Sequence, residues 1–256
     1  MNDIRFHLCD ELKNIPITML PVTESTNDDL KKAARDGAEE FTLIVADRQT
    51  KGKGRLGRSF FSPEGTGAYM SLLLKPQCTA GESTLLTCLA AAATADAIEE
   101  VTGIKSDIKW VNDIFISGKK VAGILTEGSV SRDTGRPDWA VVGIGINIAP
   151  PESGFPDEIS SVADSLLQKA DTDVRNRLIA ATVNRIFYYY KSFSEKTFMQ
   201  AYRKRLFFIG KKVTLIRNGK ETEVIAEGID SMCRLCVILP DGSREAVFGG
   251  EISVRL

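Results

Sequence analysis

Apolar and polar positions divide the chain into short runs with readable periods. "FTLIVADRQ", 41–49, is apolar through its centre and polar at its end, which predicts a strand leaving a buried sheet. "AYMSLLLKP", beginning at Ala68, predicts a second strand, stopped by Pro76. Before both, "NDDLKKAARDG" predicts a helix closing at Gly37, with Thr26 or Asn27 as its N-cap. "GESTLLTCLAAAATADAIEEVTG" is rich in Ala and Leu and predicts a long helix ended by Gly103. "SDIKWVNDIFI" and "KKVAGILTEGSV" predict two strands joined as a hairpin at "SGK", and "DWAVVGIGINI" predicts a buried strand. A Pro/Gly/Ser-rich connection, "APPESGFPDEISS", leads to helices over about 174–206.

At Gly210 the texture changes. From there to the last residue, β-rich runs alternate with the turn pairs "NG" and "DG", the pattern of a small all-β unit. A boundary near residue 209 divides the chain into 1–209 and 210–256. No internal repeat or low-complexity tail is visible.

The length of 256 residues allows one sizeable domain with a small one beside it. A hydrophobic content of 43% and a charged content of 26% fit a soluble globular protein. The net charge of −1 argues against a general electrostatic grip on nucleic acid, so any basic site must be local. Charges interrupt every apolar stretch of "MNDIRFHLCDELKNIP", unlike a signal peptide. The longest apolar candidate, "LLTCLAAAATADAI", is too short for a bilayer and contains Asp96. A cytoplasmic protein is expected. The five cysteines, an odd number, suit reduced thiols. "CRLC" at 233–236 has no second pair, and His7 is the one histidine, so a four-ligand zinc site lacks material. As part of a strand, that segment would send its two thiols to opposite faces.

Against this neutral background stands "KGKGRLGRSFFSPEGTG", 51–67. Gly52, Gly54 and Gly57 fit G-x-G-x-x-G, but a dinucleotide turn needs a helix next, and here Pro63, Gly65, Gly67 and a strand follow. No G-K-[ST] makes it a Walker A loop, and no "HRD" or "DFG" makes it a kinase loop. What remains is a flexible strand–loop–strand crossing. Lys51, Lys53, Arg55 and Arg58 supply charge for phosphate or carboxylate oxygens, and glycine lets backbone N–H groups approach a ligand. A solvated surface turn is the plain alternative. Other polar groups weigh against it. Lys109, Asn112 and Asp113 interrupt an apolar strand; Lys109 and Asp113 share a face there, and Asn112 points oppositely. Of the adjacent Lys119 and Lys120, one must turn away from solvent. Asn147 ends a buried run, where an amide needs partners.

Taken in order, these motifs resemble those of the biotin–protein ligases of the biotin/lipoate ligase superfamily. "ESTN" resembles the family's Ser-Thr-Asn turn, and "QTKGKGRLGRSFFSP" its Gln-x-x-G-R-G-R-x-G-R-x-(W/F) loop. "KWVND" resembles K-W-P-N-D, and "KKVAGILTE" resembles (R/K)-K-x-A-G-I-L-x-E; "VVGIGINI" and the terminal "GGEISVR" also fit. Lys53 stands where the family usually has arginine, exchanging a bidentate fork for a point charge. Val111 replaces a proline, which should slacken the backbone there. The family's helix-turn-helix repressor domain has no counterpart in these motifs, so DNA is not an expected partner, nor is a membrane.

The resemblance implies an α+β fold: a mixed, mainly antiparallel sheet with packed helices, then a small C-terminal SH3-like β-barrel. It implies that biotin and MgATP give biotinyl-5′-AMP and pyrophosphate. A lysine of a biotin carboxyl carrier domain then takes the biotin. Ser25, Thr26, Asn27 and Gln49 would border the biotin ring. Lys53, Gly54 and Arg55 would lie along its chain, Gly123 would let it approach, and Lys120 would reach its carboxylate. Gly52, Arg55, Arg58, Phe60, Asn112, Asp113 and Asn147 would serve ATP and the adenylate, with Asp113 near magnesium. Lys120 and Arg55 would be the catalytic residues, and Arg255 would lean towards the nucleotide. A lipoate–protein ligase and a regulator that senses biotinyl-AMP without catalysis are the alternatives. The oligomeric state stays open, a homodimer included.

Overall fold

A computed structural model describes residues 3–169, 171–217, 219–247 and 251–253. The chain runs through β1 (Ile17–Thr23), α1 (Thr26–Arg35), β2 (Leu43–Gln49), β3 (Gly67–Leu74) and α2 (Thr84–Thr102). It continues through β4 (Asp107–Lys109), β5 (Asp113–Ile116), β6 (Lys119–Val130), β7 (Pro137–Asn147), α3 (Asp157–Ser160), α4 (Thr172–Lys191) and α5 (Phe198–Lys204). The last part holds β8 (Lys212–Arg217), β9 (Lys220–Ile229), β10 (Leu235–Ile238), β11 (Arg244–Val247) and β12 (Glu251–Ser253).

The first seven strands form one sheet in the order β1-β2-β3-β7-β6-β5-β4. β1 and β2 pair in parallel and every other neighbour is antiparallel. Both faces of this sheet are covered, which explains why its central strands read as continuous apolar runs. Ile44, Leu73, Trp139 and Val141 point to one face and pack with Leu30 and Ala34 of α1. Leu43, Val45, Leu72, Leu74 and Val142 point to the other, beneath α2 and α4. α2 lies between the sheet and α4 and α5, so it is apolar nearly all round and its alanines are buried. Gly103 ends it in the left-handed conformation, φ 72°, as its sequence predicts.

The remaining five strands form an open antiparallel sheet, β11-β10-β9-β8-β12. Among the described residues no ladder joins β11 to β12, so the expected barrel does not close. The core nevertheless runs without a break from the large sheet into this one, through Trp110, Leu215, Leu235 and Val247. The Trp110 indole donates to the Cys233 carbonyl at 2.8 Å.

Several local expectations change. The N-cap of α1 is Ser25, and Thr26 and Asn27 are already in its first turn, where their side chains face the sheet rather than the helix end. The segment 106–116 is not one strand. It turns at 110–112 into the hairpin β4–β5, so Lys109 and Asp113 are cross-strand partners rather than same-strand neighbours. The turn is not slack at Val111. Tyr202 donates to the Val111 carbonyl at 3.0 Å, and Ile124 N donates to the Asn112 carbonyl at 2.9 Å. Helical structure over 174–206 breaks at Lys196, φ 54°. Cys233 lies in a turn, φ 56°, ahead of β10, and all five thiols are free.

Candidate active site

The site begins where α1 meets the sheet. Gln49, at the end of β2, accepts from Thr26 N at 2.9 Å and from the Thr26 hydroxyl at 3.1 Å, and donates to Ser62 at 3.0 Å. The Asn27 amide donates to the Leu125 carbonyl at 3.3 Å and to Glu127 at 2.9 Å. Its carbonyl accepts from Ser71 of β3 at 2.6 Å. Asn27 can lie this close to the sheet because residue 143 is glycine: a Cβ there would overlap the Asn27 amide. Residue 145 is glycine for a matching reason. A Cβ at Gly145 would overlap the ring of Phe60, which comes down from the basic loop. Two glycines on one face of β7 therefore make the floor of a recess.

The basic loop spans this floor as a narrow hairpin. Gly54 N donates to the Arg58 carbonyl at 2.7 Å and Phe60 N to the Gly52 carbonyl at 2.8 Å, with Leu56 at its tip in the left-handed region, φ 55°. Lys51 pairs with Glu24 at 2.7 Å and Lys53 with Asp28 at 2.6 Å, both acids at the start of α1. Across the recess, Arg55 Nη1 donates to Asn112 Oδ1 at 2.9 Å, and Asn112 donates to the Ile124 carbonyl at 2.9 Å. Beyond the hairpin, the Tyr69 hydroxyl donates to the Pro63 carbonyl at 3.0 Å; burial pushes the phenol up to about 12. Burial would raise the Asp28 carboxyl, but the ammonium groups of Lys53 and Lys31 hold it below the ordinary range.

Lys120 lies at the head of β6. Its backbone is clamped by Val162 and Asp164, Lys120 N to Val162 O at 2.8 Å and Asp164 N to Lys120 O at 2.9 Å. Its ammonium is 2.7 Å from Asp113 and 5.8 Å from the centre of the Phe60 ring. Gly123 leaves it room, since a Cβ there would sit 3.0 Å from Nζ. Lys119 and Lys120 are both half-buried, but Lys120 is the one that lines the cavities described next.

Two cavities meet at Lys120 and Phe60. The first, about 40 Å³, is lined by Ser25, Thr26, Asn27, Gln49, Lys53, Gly54, Arg55, Asn112, Lys120 and Gly123, with Met70 and the 143–145 stretch. The first cavity is therefore a narrow recess with the loop placed as it is. The second, about 300 Å³, is lined by Arg58, Phe60, Lys109, Asp113, Lys120 and Asn147, with Phe61, Phe115 and Phe155. Asn147 donates to the Asp164 carbonyl at 3.0 Å, tying β7 to the segment that clamps Lys120.

Two of the sequence-based placements shift. Asn112 faces the first cavity rather than the second, because the β4–β5 turn reverses its direction. Gly52 lines neither cavity. It faces a hollow on the outer side of the loop, with Arg48, Lys51 and Glu64. Arg255 lies outside the described residues. Sequence reasoning missed Ser71, Glu127, Gly143 and Gly145. Their signals were a serine inside "YMSLLL", an acid inside "ILTEGS" and a second glycine in "VGIGI". No group of three or more His, Cys, Asp or Glu among the described residues could hold a metal, and the Asp113 carboxylate already faces an ammonium.

Comparison with known proteins bears on the family and the fold. Residues 19–147 match the model of the Biotin/lipoate A/B protein ligase family, and residues 208–255 match the Biotin protein ligase C terminal domain. The chain is 44% identical over 169 residues to the Bifunctional ligase/repressor BirA of Bacillus subtilis. That match covers 66% of this chain and 51% of the relative, so the chain aligns with about half of that protein's length. It is 32% identical to the Biotin–[acetyl-CoA-carboxylase] ligase of Paracoccus denitrificans, over 91% of this chain and all of that one, 100%. Among solved structures, the biotin protein ligase from Aquifex aeolicus in complex with biotin and ATP superposes with a TM-score of 0.76 at 30% identity, covering 94% of this chain and 98% of that one.

Proposed function

The chain belongs to the Biotin/lipoate A/B protein ligase family, and we propose that it is an ATP-dependent biotin–protein ligase acting in the cytoplasm. Residues 1–209 would bind and join the two substrates, and 210–256 would form the appended β unit. The observation that carries this reading is the pair of cavities sharing one ammonium, that of Lys120. One cavity is lined by neutral amides and hydroxyls with Lys53, Arg55 and Lys120 beside them, suited to a small polar ring that carries a carboxylate. The other is aromatic with cations, suited to a nucleotide.

The chemistry follows from that layout. A biotin carboxylate is already ionised near neutral pH, so its attack on the α-phosphorus needs no general base. What it needs is relief from the repulsion between two anions. Lys120 stands between them, with Arg55 and Lys53 above the first cavity and Arg58 beside the second. Asp113 holds the Lys120 ammonium from one side and leaves its other protons for substrate oxygens. The carboxylate oxygen bonds to the α-phosphorus and pyrophosphate leaves. Phe60, wedged over Gly145, separates the two cavities and excludes water from the mixed anhydride. In the second step the neutral amine of an acceptor lysine, on a biotin carboxyl carrier domain, attacks the anhydride carbonyl and AMP departs. Magnesium would enter this scheme as part of the MgATP substrate.

The test is biotin-dependent exchange of pyrophosphate into ATP, followed by a mass increase of one biotinyl group on a carrier domain. Lipoate in excess should not displace biotin in the exchange. Exchange that depends on lipoate instead, or none with either acid, would overturn the assignment.

A further inference from the structure

The two sides of the basic loop are fastened by unlike chemistry. On one side the Arg55 guanidinium donates to the amide oxygen of Asn112 at 2.9 Å. On the other side two lysines meet two carboxylates four residues apart: Lys51 with Glu24 at 2.7 Å and Lys53 with Asp28 at 2.6 Å. The backbone is stitched there as well, Thr50 N to the Thr23 carbonyl at 2.9 Å and Lys51 N to the Glu24 carbonyl at 2.8 Å.

Asp28 is the best braced of these partners. Lys31, three residues further along α1, approaches it at 3.0 Å and also pairs with Glu127 of β6 at 2.5 Å. Glu127 in turn accepts from Asn27 at 2.9 Å. Asp28 is thus fixed to a helix and, through Lys31, to the sheet. Lys53 belongs to the loop and lines the first cavity, whereas Asp28 lies outside both cavity linings. An ammonium carries three donors, so Lys53 can keep Asp28 and still meet an oxygen of a bound anion.

We propose that Asp28 is a positioning residue for the ligation: through Lys53 it latches the basic loop over the activated intermediate and slows its escape. The proposal rests on the ligase reading above. The latch acts after the phosphorus–oxygen bond has formed and changes how long the product of that step stays bound. An ion pair this exposed is screened by salt, which gives the latch a signature that a purely structural contact lacks.

The experiment uses the full chain loaded with biotin and ATP, freed of excess substrate, and followed by rapid filtration for released biotinyl-AMP. Asp28→Asn should release it about two- to fivefold faster, the range expected of one exposed ion pair. Its pyrophosphate exchange rate should stay near that of the unmodified protein. Asp28→Glu should restore retention. Added salt should speed release by a larger factor from the unmodified protein than from Asp28→Asn, which keeps only the Lys51–Glu24 pair on that side. Equal retention by Asp28→Asn and the unmodified protein overturns the latch. So does release from Asp28→Glu as fast as from Asp28→Asn, or the same salt response in all three. If the unmodified protein forms no biotinyl-AMP at all, the ligase reading fails and the latch falls with it.

Discussion

The floor of the recess and the loop above it are built from opposite materials. The floor is β6 and β7 in full ladder, with glycines at 123, 143 and 145 and an interlocked set of neutral groups, Thr26, Asn27, Gln49 and Ser71. These residues are buried or nearly so, except Gln49, and each polar side chain is spoken for. The loop is half-exposed, carries four cations, and is held by carboxylates that a substrate anion can replace or join. A buried neutral network gives shape selectivity, because any misfit leaves a polar group unpaired. Exchangeable surface charge gives little fixed shape but answers to anions. On the proposed reading the recess would divide its work, the floor selecting the ring and the loop managing charge.

Lys120 is where the two regions meet, and its loss should have the largest effect. On the proposed reading its ammonium would interact most strongly with charge that develops as the new bond forms, so removing it should cost on the order of 3 kcal/mol, a hundredfold or more in rate. Biotin-dependent pyrophosphate exchange should collapse in Lys120→Ala and stay near normal in Lys119→Ala. Equal losses would show that the junction is not at Lys120.

A strike at the floor alone should look different. In Gly143→Ala the new methyl overlaps Asn27, which cannot yield without losing its bonds to Leu125, Glu127 and Ser71. Misplacing a positioning group in this way raises KM for biotin by about ten- to a hundredfold. KM for ATP should hardly change, since the second cavity does not touch residue 143. A parallel rise in both constants would mean that the floor is not selective for one substrate.

A strike at the loop should spare synthesis and affect retention. Arg55→Gly removes the bond to Asn112 that fastens the loop across the recess. Lys53, Arg58 and Lys120 remain for the ATP step. Release of biotinyl-AMP should quicken by about tenfold, the scale of one hydrogen bond to a charged group. A drop in pyrophosphate exchange larger than the gain in release would move Arg55 from the loop's task to that of Lys120.

The same division explains what could be read in the sequence. Most of the cationic residues were legible because charge beside glycine is conspicuous in a chain of net charge −1. Strands 41–49 and 68–76 and the helix ending at Gly103 were legible because their periods are long and clean. The hairpin at 110–112 was not. An apolar stretch such as "DIKWVNDIFI" keeps its period through a turn, and only pairing shows the reversal. That one turn moved Asn112 to the other cavity. Ser71 and Glu127 were missed because their roles depend on partners 44 and 100 residues away in sequence, distances that no local pattern encodes. The expected barrel came from the family resemblance; the turn pairs themselves predict an all-β unit and set hairpins but not closure.

The smallest expected effect is in motion rather than rate. Within the loop, three backbone bonds span residues 52–60: Gly54 to Arg58, Arg58 to Arg55, and Phe60 to Gly52. β7 is paired on both edges, with β3 and with β6. Local opening should therefore be easy in the loop and hard in the floor. Once both anions are bound, the crowded cations gain partners and the loop has less reason to leave. Amide exchange over 51–62 should slow severalfold on adding biotin and ATP, while 141–146 stays as it was. Slowing in both regions to the same degree would mean that the ligand stiffens the whole sheet, and no change in either would mean that the loop does not close on its substrates.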